Sequence, residues 1–118
     1  MNWEEMMKNN AKESARGFIE SAKKYFDNRI QGFSVYAVTD EPYKMFSLKF
    51  HAYEFYVVIL NYDRGHFGCY ISFGTDVIAL ESNKEWDDNV DLLDFWADID
   101  EQLKLRIPDK YLITKGWK

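Results

Sequence analysis

The sequence predicts an α+β domain: an antiparallel sheet of about five strands, packed by a long N-terminal helix and a second helix near the C-terminus. Apolar residues recur at helical spacing over the first thirty residues, and an amphipathic acidic segment lies at 85–103. Between them lie short runs rich in β-branched and aromatic residues. Because short turns separate these runs, antiparallel pairing is favoured, with the helices packed against the sheet.

The first helix is predicted from apolar residues that follow one another in steps of three and four, with polar residues between them. Gly32 is the expected end of this helix, because glycine is favoured just past a helix C-terminus. The apolar positions are Trp3, Met6, Met7, Ala11, Ala15, Phe18, Ile19, Ala22, Tyr25 and Phe26.

The strands are predicted from the stretch that follows. The run 51–62, HAYEFYVVILNY, is the most β-prone and is apolar on both sides from Tyr56 on, so we expect it at the centre of the sheet. Turns are expected at 40–43 and at 63–66, where Gly65 can adopt a positive φ. The other strands are expected at 33–39, 44–50, 67–73 and 77–82.

The acidic segment is predicted to form the second helix over 85–103. Asn83 or Asp87 is the expected N-cap, and the helix should end before Pro108, because proline disfavours helix at the residue before it. The short tail is expected to pack back on the body through Tyr111, Leu112, Ile113 and Trp117.

Length and composition indicate one globular domain, 1–118, because 118 residues with 47% hydrophobic content suit a single folded unit. No apolar run is long enough to cross a membrane, and the first residues lack the apolar core of a signal peptide. Cys69 is the only cysteine, so no internal disulfide can form. We therefore expect a cytoplasmic protein without membrane association.

The net charge of −5 is concentrated in the second half of the chain. Between residues 76 and 101 there are ten acidic residues and one base, Lys84. Nucleic acid is excluded as an expected partner, because binding phosphates requires a basic surface. This charge instead suits a basic protein partner.

On a helical wheel the acidic segment separates into two faces. One stripe, about 80° wide at 100° per residue, carries only carboxylates. These are Asp87, Asp91, Asp94, Asp98 and Glu101. The opposite face is apolar and consists of Leu92, Phe95, Trp96, Ile99 and Leu103.

This stripe can be a solvated helix face or a surface for a basic partner. Like charges four residues apart destabilise a helix, by roughly 0.2–0.5 kcal/mol per pair, so selection for binding would explain them. Trp86 and Leu93 lie off the apolar face and are candidate partner anchors. A calcium loop is disfavoured because 76–115 contains no glycine, and an acid–base pair because an exposed stripe gives all its carboxylates similar surroundings.

Catalytic and metal sites are not expected. His66 and Cys69 are three residues apart, but a structural zinc site would need more ligands, and Cys69 falls in a predicted strand where a buried thiol is inert. No nucleotide-binding glycine motif or nucleophile elbow is present. We predict no enzyme activity, no cofactor and no metal.

The acidic block EWDDNVDLLDFWADIDEQL and the aromatic run HAYEFYVVILNY resemble those of immunity proteins from bacterial toxin–immunity pairs, including contact-dependent growth inhibition. The resemblance implies a cytoplasmic inhibitor that binds the effector domain of a cognate toxin. Many such effectors are nucleases with basic substrate grooves, which a row of carboxylates can fill.

Two alternatives stay open. One is a small cytoplasmic ligand-binding or regulatory domain, with an aromatic-lined pocket between the first helix and the sheet. The other is a partner subunit that dimerises through an aromatic face.

Overall fold

The computed structural model describes residues 10–73, 75–82, 84–85 and 91–118. An antiparallel sheet is flanked by helices, so the predicted α+β class is confirmed. In chain order the elements are α1 (Ala11–Phe26), β1 (Ile30–Thr39), β2 (Met45–Ala52), β3 (Tyr56–Asp63), β4 (His66–Phe73), β5 (Asp76–Ala79), β6 (Lys84–Glu85), α2 (Leu92–Arg106) and α3 (Asp109–Thr114).

Helix α1 begins after Asn10, whose side chain accepts a hydrogen bond from the Glu13 amide at 2.9 Å. It ends at Phe26, and Asp27 has a φ of 54°. Gly32 was therefore wrongly predicted as the helix stop; it lies inside β1, where its φ is 72°. The predicted apolar positions Trp3, Met6 and Met7 lie outside the described residues.

The sheet has the strand order β1-β2-β3-β4-β5, and β6 pairs with the first residues of β4. Strand β3 is central, as predicted, and the β3–β4 turn has positive φ at Arg64 and Gly65. These two angles fit the tight hairpin turns that follow strand twist.

The predicted single strand over 51–62 is wrong. Strand β2 continues to Ala52, a turn follows, and β3 starts at Tyr56. Tyr53 and Glu54 have positive φ, which is uncommon outside glycine. Tyr53 is nevertheless fully buried, and its hydroxyl donates to Asp100, so tertiary contacts outweigh the strand propensity of this run.

The core lies between one sheet face and helices α1 and α2. Phe18 of α1 packs edge-on against Phe46 and Phe67, and Trp96 of α2 packs against Phe26 and Phe50. The sheet contributes alternate residues to this face, because side chains alternate along a strand. They are Phe46, Leu48, Phe50, Ala52, Val58, Leu60, Tyr62, Phe67, Cys69 and Ile71.

Helix α2 begins later than predicted. Lys84 and Glu85 form β6, and the N-cap is Asp91, whose backbone is extended. Asp91 supplies the acceptor that the first helical amides need, and for this reason the helix begins at Leu92. The prediction that it ends before Pro108 is confirmed. The two predicted caps, Asn83 and Asp87, lie outside the described residues.

The tail folds back through α3, as predicted in part. Leu112 is buried, and Trp117 packs edge-on against Tyr53 with ring centroids 5.4 Å apart. The Tyr111 hydroxyl donates to the Tyr53 carbonyl at 2.9 Å. Ile113 does not pack; it is 61% exposed on the outer side of α3.

Candidate functional site

The predicted apolar side of the acidic helix is buried. Phe95, Trp96, Ile99 and Leu103 are at most 3% exposed, while Leu92 is half-buried. On the opposite side, Asp94, Asp98 and Glu101 are exposed. These three carboxylates are called the acidic face below. Because the core holds the buried side of α2, the acidic face has a defined direction toward solvent.

The other predicted partner-binding residues are not part of the acidic face as defined here. Asp91 is exposed, but its carboxylate caps the helix: Oδ1 accepts from the Leu93 amide at 2.8 Å and from the Asp94 amide at 3.4 Å. Trp86 and Asp87 lie outside the described residues. The extended backbone at Asp91 rules out one continuous helix from residue 85. The positions predicted on the helical wheel therefore hold only from Leu92 on.

The basic residues at the end of α2 do not neutralise the acidic face. Lys104 Nζ lies 3.3 Å from Asp100 Oδ2, and Arg106 donates to the Gln102 carbonyl at 2.9 Å. Within the described part of the chain, Asp94, Asp98 and Glu101 form no ion pair. Among the described residues, no ion pair therefore offsets their mutual repulsion.

Leu105 lies on the same side of α2 as the acidic face, and it was not among the predicted partner-binding residues. It is four residues after Glu101 and seven after Asp98, which places it on the same side of the helix. Its side chain is 80% exposed. The signal was present in the sequence, because continuing the wheel two residues beyond 103 brings this leucine into line with the carboxylates. Leu93, the predicted anchor, is 36% exposed.

Glu81 is brought beside α2 from a distant part of the sequence. The Glu81 amide donates to Gln102 Oε1 at 2.8 Å, and Gln102 Nε2 donates back to the Glu81 carbonyl at 2.9 Å. This pair of bonds fastens the segment after β5 to the helix at Gln102, four residues after Asp98. Glu81 is exposed, so it adds a further carboxylate beside the acidic face.

A buried acid, Asp100, fixes the rotation of α2. It is 2% exposed and accepts hydrogen bonds from the hydroxyls of Tyr53 and Tyr25 and from Arg29. Burial and the hydrogen bond to Asp100 raise the pKa of Tyr53 far above its usual value. Burial and the charge of Asp100 also raise the pKa of Tyr25. Both tyrosines are therefore neutral donors at physiological pH.

His66 and Cys69 do not form a joint site. Cys69 is buried on the helix-covered face of the sheet, and burial raises the pKa of its thiol. His66 is exposed and lies three positions along the same strand, so its side chain projects from the opposite face. Among residues 10–73, 75–82, 84–85 and 91–118, no group of three or more His, Cys, Asp or Glu side chains could hold a metal ion.

A cleft of about 950 Å³ lies along β4 and its neighbouring strands. It is lined by Asn61, Tyr70, Val77 and Lys84, among others. It differs in place from the aromatic-lined pocket expected between the first helix and the sheet, because the aromatic side chains there, Phe18, Phe46 and Phe67, pack against one another.

No helix in the described segments combines the length and apolarity needed to cross a lipid bilayer. The chain matches no protein-family model, and its comparison with curated proteins and with solved structures gives no significant match.

Proposed function

We propose that this protein is a cytoplasmic immunity protein that binds and neutralises the basic effector domain of a cognate nuclease toxin through the acidic face of α2. The observation that carries the proposal is the side of α2 that combines the acidic face with Leu105: three exposed carboxylates without a cationic partner among the described residues, in line with a leucine that is 80% exposed.

In the free protein, this arrangement of charges and the exposed leucine is unfavourable. Asp94 and Asp98 are four residues apart, so their repulsion destabilises α2 by roughly 0.2–0.5 kcal/mol. An exposed leucine contributes nothing to the core. Both features become favourable when a basic surface covers them, because opposite charges steer association and an apolar anchor loses its contact with water.

The rigidity of α2 also supports binding. Core packing and the Asp100 hydrogen bonds hold the helix in one rotation, so the acidic face does not need to be ordered when a partner arrives. A surface ordered in advance avoids part of the entropy cost of association. Glu81 widens the negative surface and is fastened to the same helix.

The test is co-expression with the product of the adjacent reading frame, followed by purification of the complex and measurement of its Kd at two salt concentrations. A toxin domain with a basic groove should co-purify, and its activity should be inhibited at one equivalent. The proposal fails if the neighbouring product neither binds the protein nor is inhibited by it.

The interface is tested with a charge-reversal variant in which Asp94, Asp98 and Glu101 are changed to Lys. We expect binding to weaken by about 100-fold or more and its salt dependence to be lost or reversed. The matched control changes Glu13, Glu20 and Glu41 to Lys, an identical change in net charge at exposed sites elsewhere. Equal weakening by both variants would show that only overall charge matters, and the acidic face would not be the interface.

A further inference from the structure

A second surface, a groove between α1 and β1, has the opposite character to the acidic face. Its lining residues are Lys12, Arg16, Ile19, Val35 and Val38, and its volume is about 370 Å³. The groove thus has an aliphatic floor and two cations. Ligand binding in this groove would be independent of the immunity function proposed above.

The groove follows from the way α1 and β1 run antiparallel to each other. At one end Asp40, just after β1, accepts a hydrogen bond from the Ala11 amide at 2.7 Å. At the other end Lys23 Nζ lies 5.5 Å from the centroid of the Phe33 ring. These contacts fix the two elements at both ends, and the groove lies between them.

The aliphatic floor is not covered by the described protein. Val35 is 40% exposed and Val38 42% exposed, although both belong to β1, which pairs with the largely buried strand β2. Ile19 is half-buried on the α1 side. Ligand sites are concave and mostly apolar, with a few placed polar groups. This floor has that composition.

The cations lie along one side of the helix above this floor. Lys12, Arg16 and Ile19 follow at steps of four and three, so they lie on one face of α1. Both cations are exposed, and within the described residues neither forms an ion pair. Two neighbouring cations that form no ion pair with the described residues repel each other, and a single anionic group between them would remove that repulsion.

Among residues 10–73, 75–82, 84–85 and 91–118, the other charges near the groove do not supply this anion. Asp40 is held by the Ala11 amide and attracts Lys44, whose pKa is lowered mainly by burial. Glu13 and Glu20 also lie on α1, but neither pairs with Lys12 or Arg16. The apolar floor and the unpaired cations therefore leave room for a ligand that carries both an aliphatic part and a negative charge.

We propose that the groove binds a free single-chain amphiphile with an anionic head, of the medium-chain carboxylate class. The aliphatic chain lies on Ile19, Val35 and Val38, and the head lies between Lys12 and Arg16. An acidic peptide strand is less favoured, because β1 has register shifts against β2 and a positive φ at Ala37. Such irregularities at a sheet edge obstruct the addition of another strand.

The experiment is titration of the full chain with decanoate below its micelle-forming concentration, followed by amide NMR. Binding should saturate, and the largest shifts should occur at Ile19, Val35 and Val38. Decanol has the same chain without the charge, and should bind about tenfold more weakly because the charge-assisted contacts are lost. Shifts confined to other surfaces, or equal affinity for decanol, would overturn the proposal.

Two variants test the residues themselves. Changing Lys12 and Arg16 to Gln should weaken decanoate binding by about tenfold or more, whereas the control with Lys24 and Lys110 changed to Gln should bind as the unchanged protein does. Val38→Asp places a carboxylate at an exposed position of the aliphatic floor and should abolish binding. The proposal is wrong if both Gln variants bind decanoate equally, or if an acidic peptide binds the groove and decanoate does not.

Discussion

Arg29 Nη1 lies 3.1 Å from Asp100 Oδ2, joining the turn after α1 to the middle of α2 across 71 positions of sequence. The same Nη1 donates to the Tyr53 hydroxyl at 3.0 Å, and Arg29 also donates to the carbonyls of Tyr25 and Phe26. A carboxylate this deeply buried is tolerated only when hydrogen bonds and a counter-charge replace its water. The contact therefore ties three parts of the chain together and sets which side of α2 faces solvent.

Removal of this carboxylate should destabilise the fold strongly. In Asp100→Ala, Arg29 loses its anionic partner and the hydroxyls of Tyr53 and Tyr25 lose their acceptor. We expect the free energy of unfolding to fall by about 3–5 kcal/mol, the usual cost of breaking a buried ion pair. Urea denaturation at neutral pH measures this loss.

Asp98→Ala is the matched control for that measurement. It removes an exposed aspartate of the same helix that forms no ion pair within the described residues. Its effect should stay within about 0.5 kcal/mol of zero, as for most surface changes. Similar losses for the two variants would contradict the role assigned to Asp100.

Because the pKa of Tyr53 is raised in the folded protein, the free energy of unfolding changes with pH in the alkaline range. Above pH 10.0, the usual tyrosine value, the unfolded chain loses this proton while the folded chain keeps it. The unfolded state then binds fewer protons, so the contribution of Tyr53 to stability is complete below that pH and declines as the pH rises, by about 1.4 kcal/mol per pH unit for one proton.

Tyr53→Phe separates this effect from other alkaline titrations. The variant should be less stable at neutral pH, because Asp100 loses a donor, but its stability should fall less steeply between about pH 9 and about pH 11. Urea unfolding of both proteins at these two pH values provides the comparison. Identical slopes would mean that the Tyr53 proton is not held by the fold.

The sequence predicted those parts of the fold that depend on periodicity. The buried faces of α1 and α2 follow from apolar residues three and four positions apart, and Phe95, Trp96 and Ile99 are buried as expected. Central placement of β3 followed from its being apolar on both sides. These signals are local, because burial of one face requires only the right spacing of apolar residues.

Other parts of the structure depend on contacts between distant residues. Asp100 is one of eight acidic residues in the segment 85–103, and it becomes a buried acceptor only because Arg29 and Tyr53 contact α2 in the folded chain. The same contacts hold the turn at Tyr53. Glu81 reaches α2 through Gln102, which no local pattern indicates. Each of these is decided by tertiary packing rather than by propensity.

Gln102 should control the mobility of the segment after β5. In Gln102→Ala, the Glu81 amide loses its acceptor and the Glu81 carbonyl loses its donor. We expect amide hydrogen exchange at Glu81 to accelerate by about fivefold, since one hydrogen bond contributes about 1 kcal/mol. The Leu80 amide, which donates to the Cys69 carbonyl at 3.1 Å, is the internal control and should be unchanged.

Asp91 can contribute in two ways, as a helix cap and as a negative charge, and two substitutions separate them. Its carboxylate accepts from the Leu93 and Asp94 amides, so Asp91→Ala should lower the free energy of unfolding by about 1 kcal/mol. Asp91→Ser removes the charge but keeps an oxygen that can accept the same bonds. It should lose only the favourable interaction with the helix dipole, roughly 0.3 kcal/mol.

Thermal or urea unfolding of these two variants decides whether the cap is the main role of Asp91 in the free protein. If Ser and Ala destabilise equally, the charge matters more than the hydrogen bonds. The Ser variant also isolates the charge for partner binding, because α2 keeps its starting point. If the Ser variant binds the partner as tightly as the unchanged protein does, the interface starts at Asp94, one helical turn further on. Asp91 then contributes only to the stability of α2.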